Sequence, residues 1–296
     1  MNIKKYFLIV ASVVMIFVAV ASGVFVARIA VSPFKVGDHG NALQPVRSDG
    51  IVNILVVGMD TVGYNTDVMM VVNINKKDSK VNVMSVPRDT RVYVDGSYRK
   101  LNSVYAYAIN TGQKKEELLI STISDLTGLP IHYYAVINTK TFREVVDALG
   151  GVEYNVPRDY IYDDPYQDLH ICIYQGPQVL DGKAAEGLIR YRADYANGDL
   201  QRIEVQQDFI SEMVKQKLRP EYIFQLPEVY DSITENVISN LTVGDLTEYA
   251  KICLDIGVDN VQTHMLPGHA EYVGSTSYYL KDDAATAQLL SAEFGY

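Results

Sequence analysis

IVNILVVGMDTVGYNTDVMMVVNINKKDSKVNVMSVPRD, residues 51–89, has the pattern of the centre of a sheet. It holds three apolar runs, Ile51–Val57, Val68–Ile74 and Val81–Val86. They are rich in Val, Ile and Met without clean alternation, the pattern of strands buried on both faces. The connection Asn75–Ser79 is polar and short, which suits a hairpin. An up-down-up meander puts three places on one edge of its sheet. Asp60 lies just past the first run, Asp67 just before the second, and Arg88 just past the third.

Helical and extended patterns alternate downstream. Lys114–Leu126 carries apolar residues at 118, 119, 123 and 126, and Gly128 and Pro130 stop it. His132–Ile137 reads as a strand. Thr141 and Glu144 have capping-box spacing ahead of a helix that runs to Leu149, before Gly150 and Gly151. Further helices are predicted over Gly182–Ile189, Asp199–Leu218, Thr242–Ile256 and Asp282–Ala292, with a strand over Val261–Leu266. The expected fold is α/β: a central mixed sheet covered by helices on both faces, an α/β/α arrangement.

Ahead of this domain, Lys4 and Lys5 precede an uncharged apolar run, Tyr6–Ala27, closed by Arg28. A membrane-spanning helix needs roughly 20 apolar residues. The lysines place the N-terminus in the cytoplasm by the positive-inside rule. The alternative, a cleaved signal peptide, has an apolar core of only about 7–15 residues. The expected organisation is a cytoplasmic tail (1–5), a transmembrane helix (6–28), a linker (29–49) and an extracytoplasmic domain (50–296). The linker is expected from Pro33, Gly37, Gly40, Pro45 and Gly50.

Composition narrows the function. The net charge of −10 argues against a general nucleic-acid binder. Cys172 and Cys253 have no metal-type spacing. They read as two buried free thiols, with pairing outside the membrane as the alternative. The 22 tyrosines suit strands and surfaces, and some suit the wall of a sugar groove. Gly176–Lys183 has the wrong glycine spacing for a phosphate loop, and Ala184 stands where a magnesium-binding hydroxyl belongs. There is no G-x-S-x-G elbow and no H-E-x-x-H, and the five histidines show no ligand spacing.

Two clusters carry chemistry. Asp60 and Asp67 at one sheet edge favour a hard divalent cation such as Mg²⁺, which takes one or two carboxylates and completes its shell with phosphate oxygens and water. The plainer alternative is a solvated turn aspartate and a strand-capping one. The second cluster is Arg190, Arg192, Asp199, Arg202 and Gln206. Arg190 and Arg192 share a face only if the chain has left its helix by residue 190. Asp199, Arg202 and Gln206 fall on one face of a helix that begins there. Arginines converging outside the membrane suit a polyphosphate, which guanidinium binds bidentately. The alternative is a charged helix surface.

Together these stretches resemble the LytR-CpsA-Psr family of cell-wall glycopolymer transferases. The matching segments are NILVVGMD (53–60), NTDVMMVVNI (65–74), MSVPRDTRVYV (84–94), KLNSVYAYA (100–108), QVLDGKAAEGLIRYRAD (178–194) and NGDLQRIEVQQDFI (197–210). The likeness is strong over about residues 50–220 and weaker to the end. It implies a membrane-anchored enzyme that takes a glycopolymer (teichoic acid, or capsular or secondary wall polysaccharide) from a polyprenyl-diphosphate carrier. The polymer passes to a peptidoglycan hydroxyl, and polyprenyl phosphate is released. The resemblance matches Asp60 and Asp67 to the family's magnesium-coordinating acids, with Arg88 beside them in the catalytic set. It matches Arg88, Arg190, Arg192 and Gln206 to its pyrophosphate contacts, with Lys100, Asp199 and Arg202 at further matching positions. The chain departs from the pattern at Asn65 and Thr66, where Arg-Ser is common, at a shorter loop between Asp60 and Asp67, and at Val205, where Arg is common. A hydrolase of lipid pyrophosphates and a non-catalytic binder of lipid-linked glycans are the competing functions.

If residues 6–28 are retained as an anchor, protease added to spheroplasts degrades the domain. A protected domain, or a mature chain beginning near residue 23, would contradict the anchor.

Overall fold

The computed structural model describes residues 35–46, 50–59, 65–164, 169–191, 236–257 and 260–296, with Val205, Asp208, Phe209, Glu212, Met213 and Gln216. The apolar run at 6–28 lies outside them, and no helix among the described residues is long and apolar enough to cross a membrane.

The three runs are strands: β1 (Ile51–Met59), β2 (Thr66–Asn75) and β3 (Lys80–Ser85), antiparallel in sequence order. Their turn is closed by side chains. The Asp78 amide donates to Asn75 Oδ1, and Asn75 Nδ2 donates to Asp78 Oδ2. A ribbon follows, β4 (Arg91–Val94) and β5 (Ser97–Lys100), and then helices α1 (Val104–Thr111) and α2 (Lys115–Thr127). Strand β6 (Tyr133–Asn138) runs parallel to β1 and leads into α3 (Thr139–Ala148). Two more ribbons comprise β7 (Val152–Val156), β8 (Tyr160–Asp164), β9 (Leu169–Ile173) and β10 (Gly176–Leu180). Then come α4 (Gly182–Arg190), β11 (Ile238–Ser239), α5 (Val243–Ile256) and β12 (Val261–Met265), which lies parallel to β3. The chain closes with the hairpin β13 (Gly268–Val273) and β14 (Thr276–Lys281), and α6 (Asp283–Leu289). The six-stranded mixed sheet has the order β11-β6-β1-β2-β3-β12.

Alternate residues of the central strands feed different cores. Ile54, Val56, Val72 and Ile74 pack with Val145 and Val146 of α3, Leu188 of α4 and Leu246 of α5. Leu55, Val57, Val71 and Met84 pack with Val104 of α1, Leu119 and Ile123 of α2, and Phe294. Both faces are covered, so the continuous apolar runs lack the polar half of an alternating pattern.

Three expectations change. The cap of α3 is not Thr141: Asn138 accepts from the Thr141 amide at 2.9 Å, and Thr141 is buried. Asparagine is as good a cap as threonine and stands where the strand ends. The cysteines are both free, but only Cys253 is buried and Cys172 is exposed. Finally, residues 35–46 do not stand clear of the domain as a linker would. Gln44 donates its amide to the Ile131 carbonyl at 2.8 Å, Ser239 donates to the Lys35 carbonyl at 2.9 Å, and Ala42 and Leu43 pack on the second core. The segment satisfies backbone groups that the two-residue strand β11 would leave open at the sheet edge.

Two measurements follow from the packing. A β-carbon at Gly182 would stand 2.2 Å from the Arg143 carbonyl oxygen, so α3 and α4 touch backbone to backbone. Gly182→Ala is expected to destabilise by about 1–3 kcal/mol, read as a lower urea midpoint at unchanged slope. Burial pushes the Cys253 thiol up to about 12, so at pH 8 a thiol reagent should label Cys172 in the native protein and Cys253 only after unfolding.

Candidate active site

The register gathers the ends of five strands at one edge. Met59, the last residue of β1, pairs with Thr66 on one side and Asn138 on the other. Ser85, the last of β3, pairs with Met70 and with Met265. The carboxyl ends of β1, β3, β6 and β12 therefore open on the same side, where sheets of this kind bind ligands. The β1–β2 register shifts between Gly58 and Met59, an irregularity at that rim.

Arg88 and Asp67 meet there. Arg88 Nη1 donates to Asp67 Oδ1 at 2.7 Å, with about a third of each side chain exposed. The turn carrying Arg88 is held from several sides. Thr90 donates its amide to the Pro87 carbonyl at 3.0 Å, Asn102 to that of Arg88 at 2.9 Å, and Tyr279 to that of Asp89 at 2.9 Å. Lys100, at the end of β5, reaches Asp89 at 3.1 Å, next in sequence to Arg88. Asp67, Arg88 and Lys100 thus share the rim, with Asp89 as a member that sequence reading missed. Its signal was its place directly after Arg88 in a tight turn.

Arg190 lies in a second group. Its Nη1 donates to Glu186 Oε1 at 2.9 Å, and Arg143 Nε stands 3.3 Å from Glu186 Oε2. Glu186 is 7% exposed, so two guanidinium groups offset a nearly buried carboxylate. Arg143 sits in α3, whose capping residue Asn138 is the rim partner of Met59. The spacing Glu186–Arg190, i to i+4, was the available signal for this group. Arg190 is the last residue of α4, and the backbone becomes extended at Tyr191. Asp60, Arg192, Asp199, Arg202 and Gln206 lie outside the described residues. Of the departures, Thr66 is buried and donates its hydroxyl to Met69 Sδ at 3.3 Å, and Val205 packs in the first core.

The donors suit an oxygen-ligated cation. Asp67 Oδ2 has no partner among the described residues, and no group of three or more His, Cys, Asp or Glu stands together among them. A magnesium ion held by one or two carboxylates and by ligand phosphate needs no such protein cage.

The model of the LytR_cpsA_psr family matches residues 30–294. The chain belongs to the LytR_cpsA_psr family. It is 30% identical over 248 residues to the polyisoprenyl-teichoic acid–peptidoglycan teichoic acid transferase TagU of Oceanobacillus iheyensis, over 81% of this chain and 74% of that protein. To TagU of Bacillus subtilis it is 24% identical over 248 residues, covering 80% and 75%. Among solved structures of similar fold, B. subtilis TagV superposes with a TM-score of 0.64 at 22% identity, over 83% of this chain and 96% of that one. B. subtilis TagT does so with a TM-score of 0.62 at 20% identity, covering 90% and 100%. The mixed sheet with its helices is therefore the fold of this LytR_cpsA_psr member.

Glu186→Gln removes the charge between Arg143 and Arg190. Hydrogen bonds to charged groups contribute about 1.5–3 kcal/mol. Denaturant unfolding should show a loss of that size, and Arg190→Lys a smaller one because the positive charge is kept.

Proposed function

We propose that the chain is a membrane-anchored phosphotransferase that moves a glycopolymer from polyprenyl diphosphate to a peptidoglycan hydroxyl. The observation that supports this most is the pairing of Asp67 with Arg88 at the rim, in a chain whose relatives are named teichoic acid transferases. In the proposed reaction the acceptor oxygen attacks the glycan-side phosphorus. The bond from that phosphorus to the bridging oxygen breaks, and polyprenyl phosphate leaves. Asp60 or Asp67 receives the acceptor's proton. Arg88, Arg190, Arg192 and Arg202, with Lys100, Asp199 and Gln206, form the pyrophosphate-binding set. Phosphoryl transfer needs positioning and charge neutralisation more than covalent help, and arginines supply both. Mg²⁺, held by Asp60 and Asp67, would neutralise charge on the diphosphate.

The exposed Asp67–Arg88 pair contributes only about 0–1 kcal/mol to stability. A diphosphate and a cation can take over its two ends at little cost, which suits a substrate site better than a structural tie. The reading includes residues 6–28 as the anchor, with the domain outside the cell beside its lipid-linked donor.

The test is transfer from a lipid-linked glycopolymer to peptidoglycan by the purified chain. Asp67→Asn should lower turnover by about 10²-fold or more. Arg88→Ala should weaken donor binding by about ten- to a hundredfold, and chelator should suppress the reaction. Full turnover of Asp67→Asn in chelator would contradict the proposal.

A further inference from the structure

The ribbon β4–β5 leaves the rim immediately after Arg88 and returns to it at Lys100. Its turn, Asp95 and Gly96, has positive φ at both residues, the two-residue hairpin that fits strand twist. Val92 and Val94 point inward and are buried. The alternate positions lie on the opposite face, where Arg91 stands across from Lys100 and Tyr93 across from Tyr98.

That outer face is aromatic and open. Tyr93 and Tyr98 are 63% and 57% exposed. Their rings meet edge to face with centroids 4.9 Å apart. The Arg91 guanidinium covers the Tyr98 ring at 3.7 Å and lies 5.6 Å from that of Tyr278 on β14. The rings and guanidinium form one stack from the ribbon tip toward the rim. Tyr98 and Lys100 are two residues apart, about 7 Å along a strand.

We propose that this face is a carbohydrate platform that holds the acceptor, a strand of uncharged N-acetylated sugars, beside the rim. The proposal rests on the transferase reading above. Apolar faces of sugar rings and acetyl groups lie well on exposed tyrosines, whose hydroxyls remain available for hydrogen bonds. The charges disfavour the phosphate-rich alternative. Arg99 lies across from Val92 on the opposite face, and Lys100 is paired with Asp89, so Arg91 is the one cation of the outer face with no carboxylate partner among the described residues. The whole chain carries −10. An anionic polymer meets little attraction here, whereas a neutral glycan loses nothing.

The experiment is calorimetric binding of a β-1,4-linked N-acetylglucosamine tetramer to the purified full chain in detergent micelles. Tyr93→Ala/Tyr98→Ala is expected to weaken binding at least about tenfold, as for loss of an aromatic anchor, while Tyr93→Phe/Tyr98→Phe binds nearly as the parent. If melting shows that the alanine pair fails to fold, the single variant Tyr93→Ser gives the same reading. Absence of binding by the parent, or equal binding by the alanine variants, overturns the platform. So does preferential binding of a poly(glycerol phosphate) that the same substitutions abolish. Cleavage of lipid-linked pyrophosphate without acceptor should be unchanged in the alanine pair, and a loss would overturn a role confined to the acceptor. If the parent neither transfers nor cleaves yet binds the tetramer through these tyrosines, the transferase reading fails and the platform stands.

Discussion

Three buried asparagines set the frame. Asn53, Asn73 and Asn82 stand side by side across β1, β2 and β3. Asn73 Nδ2 donates to Asn53 Oδ1 at 2.8 Å and to the Phe294 carbonyl at 3.3 Å. Asn82 Nδ2 donates to the Glu293 carbonyl at 2.6 Å, and Asn53 Nδ2 to the Pro130 carbonyl at 2.8 Å. A buried amide without partners costs about 1–3 kcal/mol. Slipping any of these strands by one residue would break the row and turn the apolar residues of that strand to the wrong core. The row fixes the register, and the C-terminal segment seals it.

The site inherits that register. With Asn53 opposite Asn73, unbroken pairing would set Met59 opposite Asp67; the shift between Gly58 and Met59 sets it opposite Thr66 instead and leaves Asp67 at the rim, where it meets Arg88. Two kinds of charge pairing serve different ends there. Asp67–Arg88 is about one-third exposed, and in the proposed reaction the ligand takes its place. Glu186, nearly buried between Arg143 and Arg190, holds one arginine in place and joins α4 to α3. At Gly182 that junction packs backbone to backbone.

Much of this was legible in the sequence because the central strands are buried on both faces. Runs of Val, Ile and Met this short, joined by a tight polar turn, read as strands even with an asparagine in each, and their order set the edge on which Asp67 and Arg88 meet. The ribbons were not legible. RVYV and SYRK are four residues each, half exposed and mixed in polarity, too short for a period to show. Glu186 escaped because its role depends on Arg143, which lies 43 positions earlier by residue number and is brought close only by helix packing. The packing of residues 35–46 escaped for the same reason: glycine and proline mark a segment as irregular without saying what it touches.

The most direct measurement is a crystal structure of the chain with a short polyprenyl pyrophosphate. The diphosphate is expected at the carboxyl ends of β1 and β3, with Arg88 and Arg190 both within hydrogen-bond distance of its oxygens. A diphosphate bound elsewhere would contradict that expectation. So would Arg88 and Arg190 held more than about 15 Å apart, beyond what two long side chains and one diphosphate bridge on extended-chain dimensions.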